Sequence, residues 1–301
     1  MDSQKNEGER IAKRIARAGR ASRREAERLI EAGRVMLNGK TVETPATLVV
    51  ASDVILVDGV QLAEIKGSRL WRFHKPVGLV TTERDEKGRK TVFDALPPEL
   101  GRVLSVGRLD INSEGLLLLT NDGALKRQLE LPSTGWLRKY RVRVRGRPDA
   151  AQLQPLMDGM VIDGERFQGM QVAIDRQQGA NAWLTIALRE GRNREIRRAL
   201  KEVGMEVSRL IRVSYGPFQL LELRAGQVEE IKPKVIREQI GGDFSGVTSP
   251  RSGPPKGADD PSKPVKRPGR VRKPGATTAT HPKPAKPAAR PSGRGAKGRR
   301  D

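Results

Sequence analysis

The sequence predicts an α+β protein in three parts. A small helix-and-hairpin module covers residues 8–66, a larger domain with a mostly antiparallel sheet covers 69–240, and a disordered basic tail covers 241–301. Three observations carry this expectation. A capping box and an Asn-Gly turn punctuate the first part, short aliphatic runs alternate with short amphipathic stretches through the second, and a shift to Pro, Gly, Ala and Lys marks the third.

In the first part, Glu9 to Ala18 reads as a helix stopped by Gly19, and Ser22 to Ala32 as a second stopped by Gly33. Ser22 with Glu25 forms the capping box that sets where the second helix begins. Ile11, Ile15 and Ala18 make an apolar stripe on the first helix, and Arg10, Arg14 and Arg17 repeat at the same spacing on an adjacent, cationic face. Beyond Gly33, Asn38-Gly39 within the stretch Val35-Met36-Leu37-Asn38-Gly39-Lys40-Thr41-Val42 signals a hairpin. Residues 8–40 hold 10 basic and 4 acidic side chains, too few acids to neutralise the surface.

In the second part the strand candidates are Val103 to Val106, Leu116 to Thr120, Tyr140 to Val144, Trp183 to Leu188, Val207 to Val213 and Phe218 to Leu223. Helices are expected over Gly123 to Glu130, Asp149 to Met157 and Asn193 to Val203. Such a length supports one sizeable core. From Gly241 onward, 61 residues hold 15 Lys and Arg against 4 Asp, together with 11 of the chain's 20 prolines. That composition cannot bury enough apolar surface to offset chain entropy, so a disordered basic arm or a solubilising appendage is expected.

The whole chain of 301 residues carries 58 Lys and Arg against 36 Asp and Glu, a net charge of +22. A surplus of this size points to a polyanion, most simply nucleic acid, because each neutralised phosphate releases condensed counterions. No apolar run approaches the roughly 20 residues of a spanning helix and no signal-peptide core is present, so a cytoplasmic protein without a membrane partner is expected. With no cysteine, disulfides, thiolate zinc sites, iron–sulfur clusters and thiol catalysis are excluded. Only His74 and His281 are available to a metal site or a Ser-His-Asp triad, which leaves carboxylate, hydroxyl, phenol and cationic groups to carry any chemistry.

The stretch with most chemical content is Gly107-Arg108-Leu109-Asp110, followed by Ser113-Glu114-Gly115 and the run Leu116 to Leu119. It sets one carboxylate beside a guanidinium in a loop between two expected strands, where function tends to sit, although an Asp after a strand also serves as a turn or cap residue. Three further segments accompany it: His74-Lys75-Pro76-Val77-Gly78 with Gly88-Arg89-Lys90-Thr91-Val92-Phe93-Asp94; Arg138-Lys139-Tyr140-Arg141-Val142-Arg143-Val144; and Glu190-Gly191-Arg192-Asn193-Arg194-Glu195-Ile196-Arg197-Arg198. On the middle one, Tyr140 shares a face with Val142 and Val144 while Arg141, Arg143 and Arg145 point the other way.

The segment from Ala18-Gly19-Arg20-Ala21-Ser22-Arg23-Arg24-Glu25-Ala26 through Ile30 to Val35 resembles the S4 RNA-binding domain, and the segments of the second part resemble the pseudouridine synthases of the ribosomal small-subunit type and of the large-subunit types B, E and F. Together the likeness covers residues 8 to about 240. It implies that uracil leaves C1′ of a ribose, turns while trapped and rejoins through carbon, with no cofactor and no metal. It assigns the reacting carboxylate to Asp110, as nucleophile or as base, both of which the sequence leaves open. It also implies Arg197 as the cation paired with that carboxylate and Tyr140 as the platform under the target uracil. A phosphate-binding strip of Arg194, Arg197, Arg198 and Lys201, and a core aromatic at position 140, are the plainer readings of the same residues.

A uridine inside a stacked helix must be flipped out to react, and Arg108 is placed to fill the vacancy or hold the backbone, or else to pair with Asp110 or another local acid. Lys75, Arg89, Arg192, Arg194 and Arg198, with Arg10, Arg14, Arg17, Arg20, Arg23 and Arg24 of the first part, are the expected RNA-binding cations. His74, Ser113-Glu114 and Glu195 depart from the commoner residues of the resembling enzymes, which bears on the RNA site recognised. Arg192-Asn193-Arg194 resembles the type B enzymes of the large subunit more than those of the small one, which implies 23S rather than 16S rRNA as partner. A monomer is expected, since the chain gives no oligomer signal. An RNA-binding ribosome-assembly factor without the reaction, and a basic hydrolase acting on a base or sugar, are the rival functions.

Overall fold

The computed structural model describes residues 8–65 and 67–240, so the expected tail, with His281, lies outside the described residues. The chain runs β1 (Glu9–Arg10), α1 (Ile11–Arg17), α2 (Arg23–Glu31), β2 (Val35–Leu37), β3 (Lys40–Thr41), β4 (Leu48–Val49), β5 (Ile55–Val57) and β6 (Val60–Gln61) through the first part. It continues β7 (Leu70–Lys75), β8 (Leu104–Val106), β9 (Glu114–Thr120), α3 (Gly123–Glu130), β10 (Arg138–Arg145), α4 (Ala150–Asp158), β11 (Met160–Ile162) and β12 (Glu165–Phe167). Then come β13 (Gln171–Gln178), β14 (Asn181–Leu188), α5 (Glu195–Glu202), β15 (Glu206–Tyr215), β16 (Phe218–Gln219), β17 (Val228–Glu230) and α6 (Pro233–Ile240).

In the first part Ser22 Oγ accepts from Glu25 N at 3.2 Å while Ser22 N donates to Glu25 Oε2 at 3.3 Å, completing the expected capping box at α2. Ile11, Ile15, Ala26 and Ile30 are buried with Val35 and Val57 in a core of their own. Asn38 and Gly39 take φ values of 48° and 83°, the two positive angles that a tight hairpin between right-twisted strands demands. The first helix is shorter than expected. Glu9 and Arg10 instead pair with Val49 and Leu48, so Arg10 sits in a strand and not on the helical stripe.

The larger domain is built on one sheet of order β13-β14-β10-β15-β9-β7-β17, with β8 paired to β9 and β16 to β15. All its pairings are antiparallel except β15 with β9. Leu116 to Leu119 on β9 are fully buried and alternate between two apolar clusters, Leu117 and Leu119 on one face and Leu116 and Leu118 on the other. Each such side chain contributes roughly 1.5–3 kcal/mol when removed from water, which anchors the strand immediately after the Asp110 loop. Leu153 and Leu156 of α4 and Ile196, Ala199 and Leu200 of α5 join the first cluster, and Leu125 and Leu129 of α3 join the second.

Two further expectations change in detail, and some elements are not among those expected. The strand expected from Phe218 to Leu223 stops at Gln219, since Leu221 adopts a φ of 52° that no strand accommodates. The helix expected from Asn193 begins at Glu195 because Arg194 is left-handed, at φ 50° and ψ 30°. Strands β7 and β13 and the hairpin of β11 and β12 carry no sequence expectation at all.

Candidate active site

Asp110 lies in the loop joining β8 to β9, half-buried on a cleft of about 900 Å³. Thr81, Asp110, Tyr140, Leu210, Arg212 and Tyr215 form part of its wall, with Arg84, Arg89, Arg108, Arg192 and Arg194 also lining it. The loop is fixed through its backbone. Leu109 O accepts from Thr81 Oγ1 at 2.8 Å, Asp110 O from Lys75 Nζ at 3.1 Å and Ile111 O from Gly78 N at 2.8 Å. Asn112 O accepts from Arg197 Nη2 at 2.8 Å and Ser113 O from Lys75 Nζ at 2.9 Å. Every carbonyl from Leu109 to Ser113 therefore has a donor, while the Asp110 carboxylate has no hydrogen bond or ion pair among the described residues.

One buried and one half-buried cation interact electrostatically with that carboxylate. Lys75 is fully buried at the end of β7, and burial pushes its ammonium down to about 8, opposed by the charges of Asp110 and Glu114 and reinforced by Arg212. Burial and the neighbouring Arg194 lower the Arg197 guanidinium, while Asp110 opposes them. Arg197 reaches Asn112 O and, at 3.2 Å, Val207 O, and forms no ion pair with Asp110 within 4.0 Å. The expected direct pair is thus replaced by a guanidinium that holds the loop's backbone and acts on Asp110 through space.

Tyr140 is 9 % exposed, on β10 between β14 and β15, where its register partners are Ile186 and Arg212. A register shift between Lys139 and Tyr140 lets Arg138 pair with Tyr215 and Tyr140 with Arg212. Arg138 and Arg212 both lie over the Tyr215 ring, at 4.8 and 5.2 Å from its centroid. Arg212 is 2 % exposed; its Nε donates to Leu116 O at 2.7 Å and its buried Nη2 has no hydrogen-bond partner among the described residues. The approach that places it is tight, since a Cβ on Gly115 would collide with the Arg212 backbone and Gly115 itself has φ 104°.

The expected RNA-binding cations divide. Arg89, Arg108, Arg192 and Arg194 reach the cleft. Arg108 is exposed and pairs with no acid among the described residues, so the alternative bridge to Asp110 is not formed. Arg89 folds back on Asp85 at 2.8 Å, and Arg192 contacts Glu190 at 3.3 Å and lies over Phe167. Lys75 cannot meet a phosphate, because it is buried and donates to three carbonyls, Pro76 O included. Arg198 does not line the cleft; it bridges Asp163 and Glu165 at 3.1 and 2.7 Å and lies over Phe167. In the first part Glu9 gathers Lys13, Arg14 and Arg17, and Asp58 takes Arg20, whereas Arg10, Arg23 and Arg24 are exposed and unpaired among the described residues.

Arg212 and Tyr215, absent from the sequence expectation, and Glu195, noted there only as a departure from the resembling enzymes, also line the cleft. Arg212 and Tyr215 reach it only through the pairing of β15 with β10 and β9, a long-range register that no local pattern displays. Glu195 is buried at the start of α5; its Oε2 accepts from Arg192 N at 3.0 Å and its Oε1 lacks a partner. Burial pushes this carboxyl up to about 7, with the Arg192 hydrogen bond opposing and Glu190 reinforcing the shift.

Known proteins resemble the chain over the same regions. Residues 69–202 match the RNA pseudouridylate synthase family and residues 9–55 the S4 domain family. An uncharacterised RNA pseudouridine synthase of Rickettsia felis is 45 % identical over 230 residues, covering 76 % of this chain and all of that one. Ribosomal large subunit pseudouridine synthase B of Haemophilus influenzae is 41 % identical over 247 residues, covering 79 % and 69 %. The protein of that description from Escherichia coli O157:H7 is 42 % identical over 219 residues, covering 70 % and 75 %. A crystal structure of a pseudouridylate synthase shares the fold at a TM-score of 0.55 and 24 % identity, covering 77 % of this chain and 99 % of that one.

Proposed function

The chain belongs to the RNA pseudouridylate synthase family, and we propose that it isomerises a uridine of ribosomal RNA, 23S in preference to 16S, with Asp110 as the single reacting carboxylate and no cofactor. The observation that carries this reading is the loop from Leu109 to Ser113, whose carbonyls are all engaged while its one carboxylate, on a cleft, is unpaired among the described residues. A group held this way is preorganised without being neutralised by a permanent partner.

In this mechanism the target uridine leaves its helix and Arg108 occupies the vacancy. Its uracil stacks on Tyr140, and the Asp110 carboxylate attacks C1′ or removes a sugar proton, so that the bond from C1′ to N1 breaks. The freed uracil turns against Tyr140 and its C5 bonds to C1′ as the Asp110–C1′ ester breaks or, on the base route, as Asp110 returns the sugar proton; C5 then gives up its proton to water and N1 takes one up. Lys75 and Arg197 hold the loop through its carbonyls, while Arg89, Arg192 and Arg194 take backbone phosphates at the cleft. Arg10, Arg23 and Arg24 of the S4 domain bind flanking RNA.

The relatives named for the large ribosomal subunit support 23S rRNA as substrate. Mapping pseudouridines in both rRNAs from cells with and without the protein tests that assignment. One site in 23S rRNA is expected to vanish; loss confined to 16S rRNA reverses the choice of rRNA, and an unchanged map in both refutes the proposal.

A further inference from the structure

Only one side of β10 belongs to the cleft. Tyr140, Val142 and Val144 enter the apolar cluster that α4 and α5 cover, whereas Lys139, Arg141, Arg143 and Arg145 project from the reverse face. The sheet register extends this cationic column into rows. Arg143 pairs with Trp183 on one side and Arg209 on the other, and Trp183 pairs in turn with Arg176 on β13. The apolar cluster on this side is built from α3, α6 and the strands around β9, with Ile211 of β15 packed at its margin. Beyond that margin Lys139, Arg141, Arg145, Arg176 and Arg209 are exposed and Arg143 is half-buried.

The acids on this surface neutralise only part of it. Asp175 lies 3.9 Å from Arg141, Glu206 2.9 Å from Arg145 and Glu114 2.5 Å from Arg209. Lys139, Arg143 and Arg176 have no ion pair among the described residues. Arg141 is held over the Trp183 ring at 4.8 Å from its centroid, which leaves it less rotamer freedom to lose when it binds an anion.

We propose that this reverse sheet face is a second RNA-binding surface, taking the phosphates of a segment outside the cleft. The fit is one of charge: six cations stand on a rigid, helix-free lattice against three carboxylates, and planar guanidinium forks suit phosphate oxygens. The inference rests on the reading of the chain as an enzyme acting on a large RNA, because a short stem-loop that fills the cleft has no segment left over to reach the other face.

The test compares Lys139→Glu/Arg143→Glu/Arg176→Glu with wild type on a short target stem-loop and on a long rRNA fragment containing it. The neutral set Lys139→Gln/Arg143→Gln/Arg176→Gln guards against misfolding, checked by circular dichroism. For the long RNA, the slope of log affinity against log salt should fall by about 2–3 in the neutral variant, at roughly 0.7–0.9 per lost phosphate contact, with affinity at least tenfold weaker. Binding and conversion of the short stem-loop should stay within twofold of wild type. Equal slopes on the long RNA overturn the proposal, as does an equal loss on both RNAs. So does wild-type RNA binding combined with loss of association to RNA-free ribosomal proteins, which would make the face a protein dock. Should wild type convert no RNA at all, the enzymatic reading fails, while the binding comparison still decides this one.

Discussion

The cations around Asp110 and those of the S4 domain are the same residue types put to opposite uses. Lys75 is buried and Arg197 half-buried, and both donate to backbone carbonyls, whereas Arg10, Arg23 and Arg24 are exposed and unpaired among the described residues. The first set fixes the backbone of the loop that carries one acid; the exposed set offers screened, long-range attraction to a polyanion. Damage to the first should therefore appear in turnover and stability, and damage to the second in affinity and salt dependence.

The largest effect is expected from Asp110→Asn, which removes charge with little change of shape. Conversion should become undetectable while RNA affinity stays within a few fold, as measured by filter binding beside an activity assay. Next comes Lys75→Met, which deprives Pro76 O, Asp110 O and Ser113 O of a buried donor. A loss of about 1–3 kcal/mol of stability is expected in denaturant titration, together with slower turnover at unchanged RNA affinity. An effect on affinity alone would place Lys75 with the surface cations. Tyr140→Ala should cost about 1–3 kcal/mol of transition-state stabilisation if the ring is a stacking platform, and Tyr140→Phe should restore most of it in single-turnover kinetics.

Much of this contrast is legible in the sequence, and what is not has physical reasons. The loop that holds Asp110 is legible from the aliphatic strands on either side and the face that Tyr140 shares from the alternation of its strand, while the roles of both come only from the resemblance. Nothing local distinguishes Lys75 from a surface lysine, because its burial is decided by β9 pairing beside β7. The same holds for Arg212, which reaches the cleft through a parallel pairing with Gly115 almost a hundred residues earlier. Asp58-Gly59 and Asp163-Gly164 make hairpin turns with positive φ, as Asn38-Gly39 does, yet the two- and three-residue strands around them are too short to show alternation. Strand β13 hides for another reason: it is an almost wholly exposed edge, so its apolar residues are confined to Val172, Ala173 and Ile174 and show no alternation.

Two smaller effects sharpen the comparison. Burial raises the Glu195 carboxyl from its ordinary 4.5 to about 7, so the folded protein keeps a proton there that the unfolded chain has released. This contribution to stability is full below pH 4.5 and is lost as the pH rises through 7. Glu195→Gln should therefore gain on wild type in melting temperature between pH 5 and pH 8; a constant difference across that range would remove Glu195 from the titrating groups. Arg23→Ala/Arg24→Ala, at the surface, should lower the salt slope of RNA binding by about 1–2 and leave the rate at saturating RNA unchanged.

Tritium release from RNA labelled at C5 of uridine, with analysis of the product strand, tests most directly whether Asp110 breaks and remakes a glycosidic bond in this cleft. Wild type should release tritium from one site with no free uracil and an intact strand, and Asp110→Asn should release none. Free uracil with an abasic site, or equal release by the two proteins, would contradict the account.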